Sequence, residues 1–313
     1  MTQIAAVGAG WGDLADEVAA LLARAWSPPA LEYPAAYLRW QATFPGGEGV
    51  HSSGVTARDG DRLVGFAAAT PRRVAWAGES GWVHVVSFVA VDPDSRGQGL
   101  SGTLYDALLG DLAVAPSFGV LTFAQEDSNG LAVLEAAYRR NGFGRTDLGL
   151  YRTHAAPLSP AAVPAADGPP APALPRAPDP ATRLDSWPDA AEWAHQLADP
   201  RGVAWVSLGD GAEGGLVTLA HRTTAGGPDP FCCVRAVYGP AAAGSGARLR
   251  TAAAGIAAGR SRIVTMPNPE ALSAEDLRGG GFRALPGAFV GRWYHRPGAA
   301  MPAPMGRTTM EIV

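Results

Sequence analysis

The 313-residue chain is 47% hydrophobic and 17% charged, carries a formal net charge of −4 and has a pI near 5.9. That balance supplies cores for two ordinary domains and contains no lysine-rich or arginine-rich block, which excludes nucleic acid and anionic membranes as main partners. The two cysteines, Cys232 and Cys233, are adjacent, which excludes a disulfide framework and a structural zinc and fits a reducing, cytoplasmic setting.

The opening stretch "MTQIAAVGAGWGDLADEVAALLARAW" carries Asp13, Asp16, Glu17 and Arg24, so it reads as neither signal peptide nor membrane span. Within it "TQIAAVG" predicts a strand, and "GDLADEVAALLARAW" predicts a helix with Leu14, Val18, Leu21 and Leu22 along one face. "PAAYLRWQATF" predicts a helix that proline opens, and Asp59-Gly60 marks a hairpin turn. "WVHVVSFVAV" (82–91) is a long apolar strand. Helix 100–115, strand 118–125, helix 130–140 and a closing strand over "FGRTDLGLYRTH" follow.

Residues 155–182 are rich in proline and alanine and predict a linker between a domain at 1–154 and a second at 183–296, with a tail at 297–313. The second half repeats the order of the first in outline, and "AYRRNGFGRTDLGLYR" parallels "DLRGGGFRALPGAFVGRWY". A divergent internal duplication follows. The fold class is α+β: two tandem domains, each a central mixed, mostly antiparallel sheet flanked by helices.

One segment carries chemistry. "RGQGLSG" spaces its glycines as Gly97-x-Gly99-x-x-Gly102, which matches a dinucleotide fingerprint. That fingerprint needs its strand to run straight into the first glycine, whereas here "DPDSR" intervenes after Val91 and an antiparallel hairpin lies upstream. A row of backbone N–H groups from Arg96, Gly97, Gln98, Gly99, Leu100, Ser101 and Gly102 at a helix mouth is still an anion site.

With Arg96 leading, Gly99 central and Ser101 at the last small position, this loop resembles the acetyl-CoA-binding motif of the GNAT N-acetyltransferase superfamily. Tyr138 four residues before Gly142-Phe143 resembles the closing Tyr-x-x-x-Gly-Phe signature of the same superfamily. The resemblance covers residues 1–154 well and the second half more faintly. It implies a tandem GNAT protein whose C-terminal domain is degenerate, since "GPAAAGSGARLR" lacks a leading Arg or Gln and Leu277-Arg278 stands in place of the tyrosine.

The resemblance further implies acetyl-CoA as co-substrate, with the diphosphate on the 96–102 loop, the pantetheine arm along Phe88, Val89, Ala90 and Val91, and Asn129 nearby. An amine then attacks the thioester directly. Tyr138 is the implied acid for the departing thiolate, Glu126 (with Asp127 beside it) or His84 the base, and Tyr33, Tyr37 and Trp40 the walls of the acceptor pocket. The expected partner is a small-molecule amine of the antibiotic or secondary-metabolite class, bound by a monomer or homodimer with no metal. The rival readings are a non-catalytic acyl-CoA-binding protein, a thioester decarboxylase or hydrolase, and a longer-chain acyltransferase.

Overall fold

The computed structural model describes residues 2–26, 30–76, 79–126, 128–158, 185–186, 188–201, 203–207, 216–222, 224–225, 231–238, 244–257, 263–266 and 272–298. β1 (Gln3–Ala6) leads through a 3₁₀ segment, Gly8–Leu14, into α1 (Ala15–Ala25). α1 turns Val18, Leu21 and Leu22 inward, while Asp16 and Glu17 in its first turn and Arg24 in its last suit the helix dipole. Pro34 fixes an extended entry to α2 (Ala35–Ala42). β2 (Ser53–Asp59) and β3 (Arg62–Trp76) form the expected hairpin, with Asp59 opposite Arg62 across Gly60, whose φ is +58°.

β4 (Glu79–Val91), α3 (Leu100–Leu112), β5 (Val120–Gln125), α4 (Asn129–Arg140) and β6 (Gly144–Tyr151) follow. Next come β7 (His154–Pro157), α5 (Ala190–Leu197), β8 (Val203–Ser207), β9 (Leu216–Arg222) and β10 (Phe231–Tyr238). α6 (Ser245–Ala257), β11 (Ile263–Met266), α7 (Ala274–Gly279), β12 (Arg283–Ala284) and β13 (Phe289–His295) end the described chain. The fold is α+β, as the sequence predicts.

Two compact units result. Unit 1 comprises residues 1–73, 81–149 and 290–304, and unit 2 comprises 74–80, 150–289 and 305–313. The sheet of unit 1 runs β1-β2-β3-β4-β5-β13-β6. Leu104, Leu108, Leu109 and Leu112 of α3 pack on it with Leu134 and Ala137 of α4. The sheet of unit 2 runs β8-β9-β10-β11-β7-β12. Each contains a parallel pair at the matching place, β4 with β5 and β10 with β11.

The closing strands depart from the sequence expectation. The closing strand expected over 143–154 is broken, and so is the segment 283–295 that parallels it in the second half. The first becomes β6 in unit 1 and β7 in unit 2, with Arg152 and Thr153 outside either ladder. The second becomes β12 in unit 2 and β13 in unit 1; Pro286, which has no N–H to give, and Gly287 at φ +83° lie between them. The sheet of unit 1 therefore holds a strand from the far end of the sequence, and the sheet of unit 2 holds β7, which uses Ala155–Pro157 of the expected linker. Residues 159–184 lie outside the described chain.

β13 is fastened into unit 1 by side chains. Tyr294 stacks on Tyr138 of α4 at 3.6 Å between centroids and 13° between planes. Arg292 pairs with Glu135 and, at 3.3 Å, with Asp147, while Arg296 Nη1 donates to the Ala115 carbonyl at 2.6 Å. A fragment ending at residue 158 lacks this strand, and its unit 1 sheet has a gap between β5 and β6. Such a fragment is expected to lose cooperative urea unfolding, and adding a peptide spanning 286–298 is expected to restore part of it, as read by near-UV circular dichroism.

His84, in the middle of β4, is fully buried. Its Nε2 lies 3.1 Å from the His51 carbonyl and its Nδ1 3.3 Å from Ser117 Oγ. Burial, partly offset by the His51 carbonyl, pushes its pKa down to about 4. The unfolded chain then binds the extra proton from about pH 6.5 downward and the folded chain does not, so stability falls as pH drops from about 6.5 to about 4. His84→Gln is expected to flatten the stability profile by about 3 kcal/mol across that window, measured by urea midpoints from pH 7.5 to pH 4.

Candidate active site

β4 and β5 separate part-way along their length. Their parallel ladder pairs His84 with Val120 and Val85 with Leu121 and stops there, although β4 continues to Val91 and β5 to Gln125. Just beyond the break Phe88 has φ +59°, the left-handed region that costs a non-glycine residue about 1–3 kcal/mol. Its ring holds it there, 5.2 Å from Tyr33, 6.2 Å from Trp11 and 6.3 Å from Tyr37. The kink turns Val89, Ala90 and Val91 to one wall of a cavity of about 500 Å³.

The loop after β4 forms the next wall. Asp92 is buried, and its carboxylate accepts from the Asp94 N–H at 3.2 Å, Arg24 Nε at 3.1 Å and Arg62 Nη2 at 2.8 Å. Burial opposes its ionisation, but those hydrogen bonds outweigh it and hold the carboxyl below its usual range. The Ser95 N–H donates to the Asp92 carbonyl at 2.9 Å, closing a one-turn 3₁₀ segment, Pro93–Ser95. Arg96 is tethered by its guanidinium to the Val91 and Ala25 carbonyls.

Gly97 and Gly99 then take φ of +79° and +74°, and a Cβ at either would meet nothing within 4 Å. Their backbone demands glycine, and their faces are open. Gly99 is the N-cap of α3 and offers no side-chain cap, so the first amides of that helix carry the positive end of its dipole without a side-chain acceptor. Ser95, Arg96, Gly97, Gly99, Leu100 and Ser101 line the cavity here; Tyr105, Gly130 and Val133 line it from α3 and α4, and Ala25 and Trp26 from α1 and its end. Gln98 is exposed outside the lining, and Gly102 lies beside Arg140. Asn129 begins α4.

The proposed proton-handling residues fall in three different environments. Tyr138 is fully buried, with its ring between Tyr294 and Phe143, and its hydroxyl has no hydrogen-bond partner among the described residues. Burial, with Tyr105 and Tyr294 nearby, raises its pKa well above 10, so it holds its proton at any physiological pH. Tyr105, which sequence reasoning passes over, is on the cavity wall, and burial raises its pKa as well. Its place on α3, one turn beyond the glycine loop, is the signal that would have found it. Glu126 is exposed just past β5. His84 stands outside the cavity, and its two ring nitrogens already face His51 and Ser117, which makes it a part of the sheet interior.

The aromatic residues assigned to the acceptor pocket pack as one cluster. Tyr37 and Trp40 stack at 5.5 Å and are buried, and the Tyr37 hydroxyl accepts from Gln41 Nε2 at 2.6 Å. Tyr33 is partly exposed and meets Trp26 edge-on at 5.4 Å. Trp26 is the member of this cluster that reaches the cavity. Tyr33 and Tyr37 instead brace Phe88 from behind.

Unit 2 has a loop at the same place in its order, with a different outcome. Gly244, at φ +81°, precedes α6, but its N–H donates at 2.7 Å to the carboxylate of Asp276 in α7. Asp276 also accepts from Ser273 Oγ at 2.6 Å and from the Ser245 N–H. The Ser273 hydroxyl and these backbone amides hold its carboxyl below the usual range against a modest cost of burial. A Cβ on Gly246 would sit 2.0 Å from the Asp276 carbonyl, so α7 lies directly on the first turn of α6. The helix mouth that is open in unit 1 is filled in unit 2 by the protein's own anion.

The open amides of unit 1 and the kinked β4 border one cavity, and Tyr138 lies outside its lining. The sequence model of the acetyltransferase (GNAT) family matches residues 15–143, which span all of these features. No curated protein matches the sequence. Among solved structures, N-myristoyltransferase of Saccharomyces cerevisiae with bound myristoyl-CoA is similar at a TM-score of 0.65 and 12% identity, covering 97% of this chain and 80% of that one. A tandem GNAT protein from the clavulanic acid biosynthesis pathway is similar at a TM-score of 0.60 and 14% identity, covering 96% of this chain and 100% of that one. No helix among the described residues is long and apolar enough to cross a membrane. The GNAT family model thus covers the stretch of unit 1 that carries the loop and the kinked strand, and the two-unit fold is similar to that of a tandem GNAT protein.

Proposed function

We propose that unit 1 transfers an acetyl group from acetyl-CoA to the primary amine of a small molecule. The observation that carries this reading is the row of unmasked amides at the start of α3, set beside the strand gap that Phe88 opens. The likeness to a tandem GNAT protein from the clavulanic acid biosynthesis pathway supports a small-molecule acceptor.

In this reading the amides of residues 97–102 hold the diphosphate, with Arg96 at the rim, and the backbone of Val89, Ala90 and Val91 aligns the pantetheine arm. The bound donor supplies an electrophilic thioester carbonyl. The N–H groups turned outward past Phe88 polarise that carbonyl. Tyr138 keeps its proton until a thiolate forms and then donates it, so its buried hydroxyl gains the acceptor it otherwise lacks. Glu126 takes the proton of the amine, directly or through water. His84 stays neutral within the sheet. Trp26 faces the acceptor, while Tyr33 and Tyr37 hold Phe88 and Trp40 stacks on Tyr37.

A second reading of the acid rests on the position of Tyr105 on the cavity wall. Tyr138→Phe is expected to lower kcat by about 10²-fold or more and to leave the affinity for CoA within about threefold, as read by amine-dependent release of free thiol. If Tyr138→Phe leaves kcat intact and Tyr105→Phe lowers it, the acid is Tyr105. Thiol release independent of any amine would replace transfer with hydrolysis, and binding without release across a broad amine panel would make the protein a sensor.

Calorimetry is expected to give a single CoA site per chain. Gly99→Val imposes a β-branched side chain on a left-handed residue and covers the open face of the loop. It is expected to abolish CoA binding while shifting the thermal midpoint by only a few degrees; unchanged affinity would remove the loop from the site.

A further inference from the structure

A second cavity, of about 590 Å³, lies within unit 2. Arg250 of α6, Arg278 of α7 and Arg283 of β12 share its wall, with Ala155 and Pro157 of β7 and the buried Phe282 as its apolar part. Elsewhere in the described chain guanidinium groups characteristically meet carboxylates: Arg24 and Arg62 meet Asp92, Arg140 meets Asp106, and Arg201 meets Asp199. No described carboxylate pairs with any of the three arginines of the cavity. The last turn of α7 accounts for one cation there through its dipole, but not for the convergence of three from separate elements.

Three guanidinium groups lining one space repel one another, a cost that a bound anion would relieve, in a chain whose net charge is −4. Arg250 is also held in place. A Cβ on Gly281 would come within 2.8 Å of its Nη1, so the guanidinium lies against the backbone rather than trailing into solvent. One planar fork satisfies a carboxylate, whereas forks arriving from three directions match the oxygens of a phosphoryl group. The volume suits a small metabolite, and Phe282 with Pro157 supplies an apolar surface beside the charge.

We propose that this cavity is a binding site for a phosphorylated small molecule with an apolar portion, separate from the acyl-donor site of unit 1. It does not use the α6 helix mouth, which Asp276 already fills.

The test uses the full chain saturated with CoA, so that the unit 1 loop cannot take up the probe. Inorganic phosphate and phenyl phosphate are titrated at constant ionic strength and followed by calorimetry and ³¹P NMR. Saturable binding at one site per chain is expected, with phenyl phosphate the tighter of the two. In the variant Arg250→Gln with Arg283→Gln, binding is expected to weaken about tenfold or more, with CoA affinity unchanged. Absence of saturable binding, or equal affinity in wild type and variant, overturns the proposal and leaves only adventitious ion binding. Should the double variant not fold, the exposed single variants Arg278→Gln and Arg283→Gln are each expected to weaken phenyl phosphate binding about threefold, and unchanged affinity in both overturns it equally.

Discussion

The site depends on a backbone held where it would not rest by itself. Phe88 stays at φ +59° because its ring is anchored among Trp11, Tyr33 and Tyr37, and burying an aromatic ring of that size is worth more than the strain. From that one kink follow the end of the β4–β5 ladder after Val85 and Leu121, the gap between the strands, and the outward turn of Val89 to Val91. The aromatic residues of α2 and the segment before it thus act on the chemistry through the strand that they support. The same packing that makes them core residues makes the strand available to a ligand.

Two aspartates show how one chemical group opens one half and closes the other. In unit 1 Asp92 is turned inward, where Arg24 and Arg62 neutralise it and its own turn is capped, so the helix amides that follow remain unmet. In unit 2 Asp276 is turned toward the helix start and takes the amides of Gly244 and Ser245 for itself. Each carboxylate is well satisfied, and each shifts below its ordinary range for that reason. What differs is whether the positive end of the helix is left for a ligand. In the second half the place of the open loop is taken by the protein's own carboxylate.

Much of this was legible in the sequence because it rests on local rules. Glycines at 97 and 99 before an apolar helix, the Asp59-Gly60 turn, the 3.6-residue stripes of α1 and α3, and the repeated order of elements each follow from backbone chemistry within a few residues. What was not legible was set by distance along the chain. No spacing rule predicts that Asp276 reaches back 32 residues to Gly244, or that Arg24 and Arg62 meet on Asp92. The aromatic residues Tyr37 and Trp40 read equally as pocket or core, because hydrophobic pattern reports burial and not what is being buried against. His84 looked like a base on a strand, and only its contacts with His51 and Ser117 reveal a neutral sheet residue.

The strand crossing carries the largest consequence of this kind. Residues 289–295 lie at the far end of the sequence, yet they fill the place between β5 and β6 in unit 1 and bring Tyr294 onto the ring of Tyr138. Tyr138 thus owes part of its packing and its dry surroundings to a segment some 150 residues away. Arg292, which joins Glu135 of α4 to Asp147 of β6, locks the same strand from its other side. The sheet of unit 1 is unfinished without this strand, although it comes from the far end of the chain. That dependence gives a physical reason for the C-terminal strand to persist in the chain, while among the described residues the open helix mouth is that of unit 1.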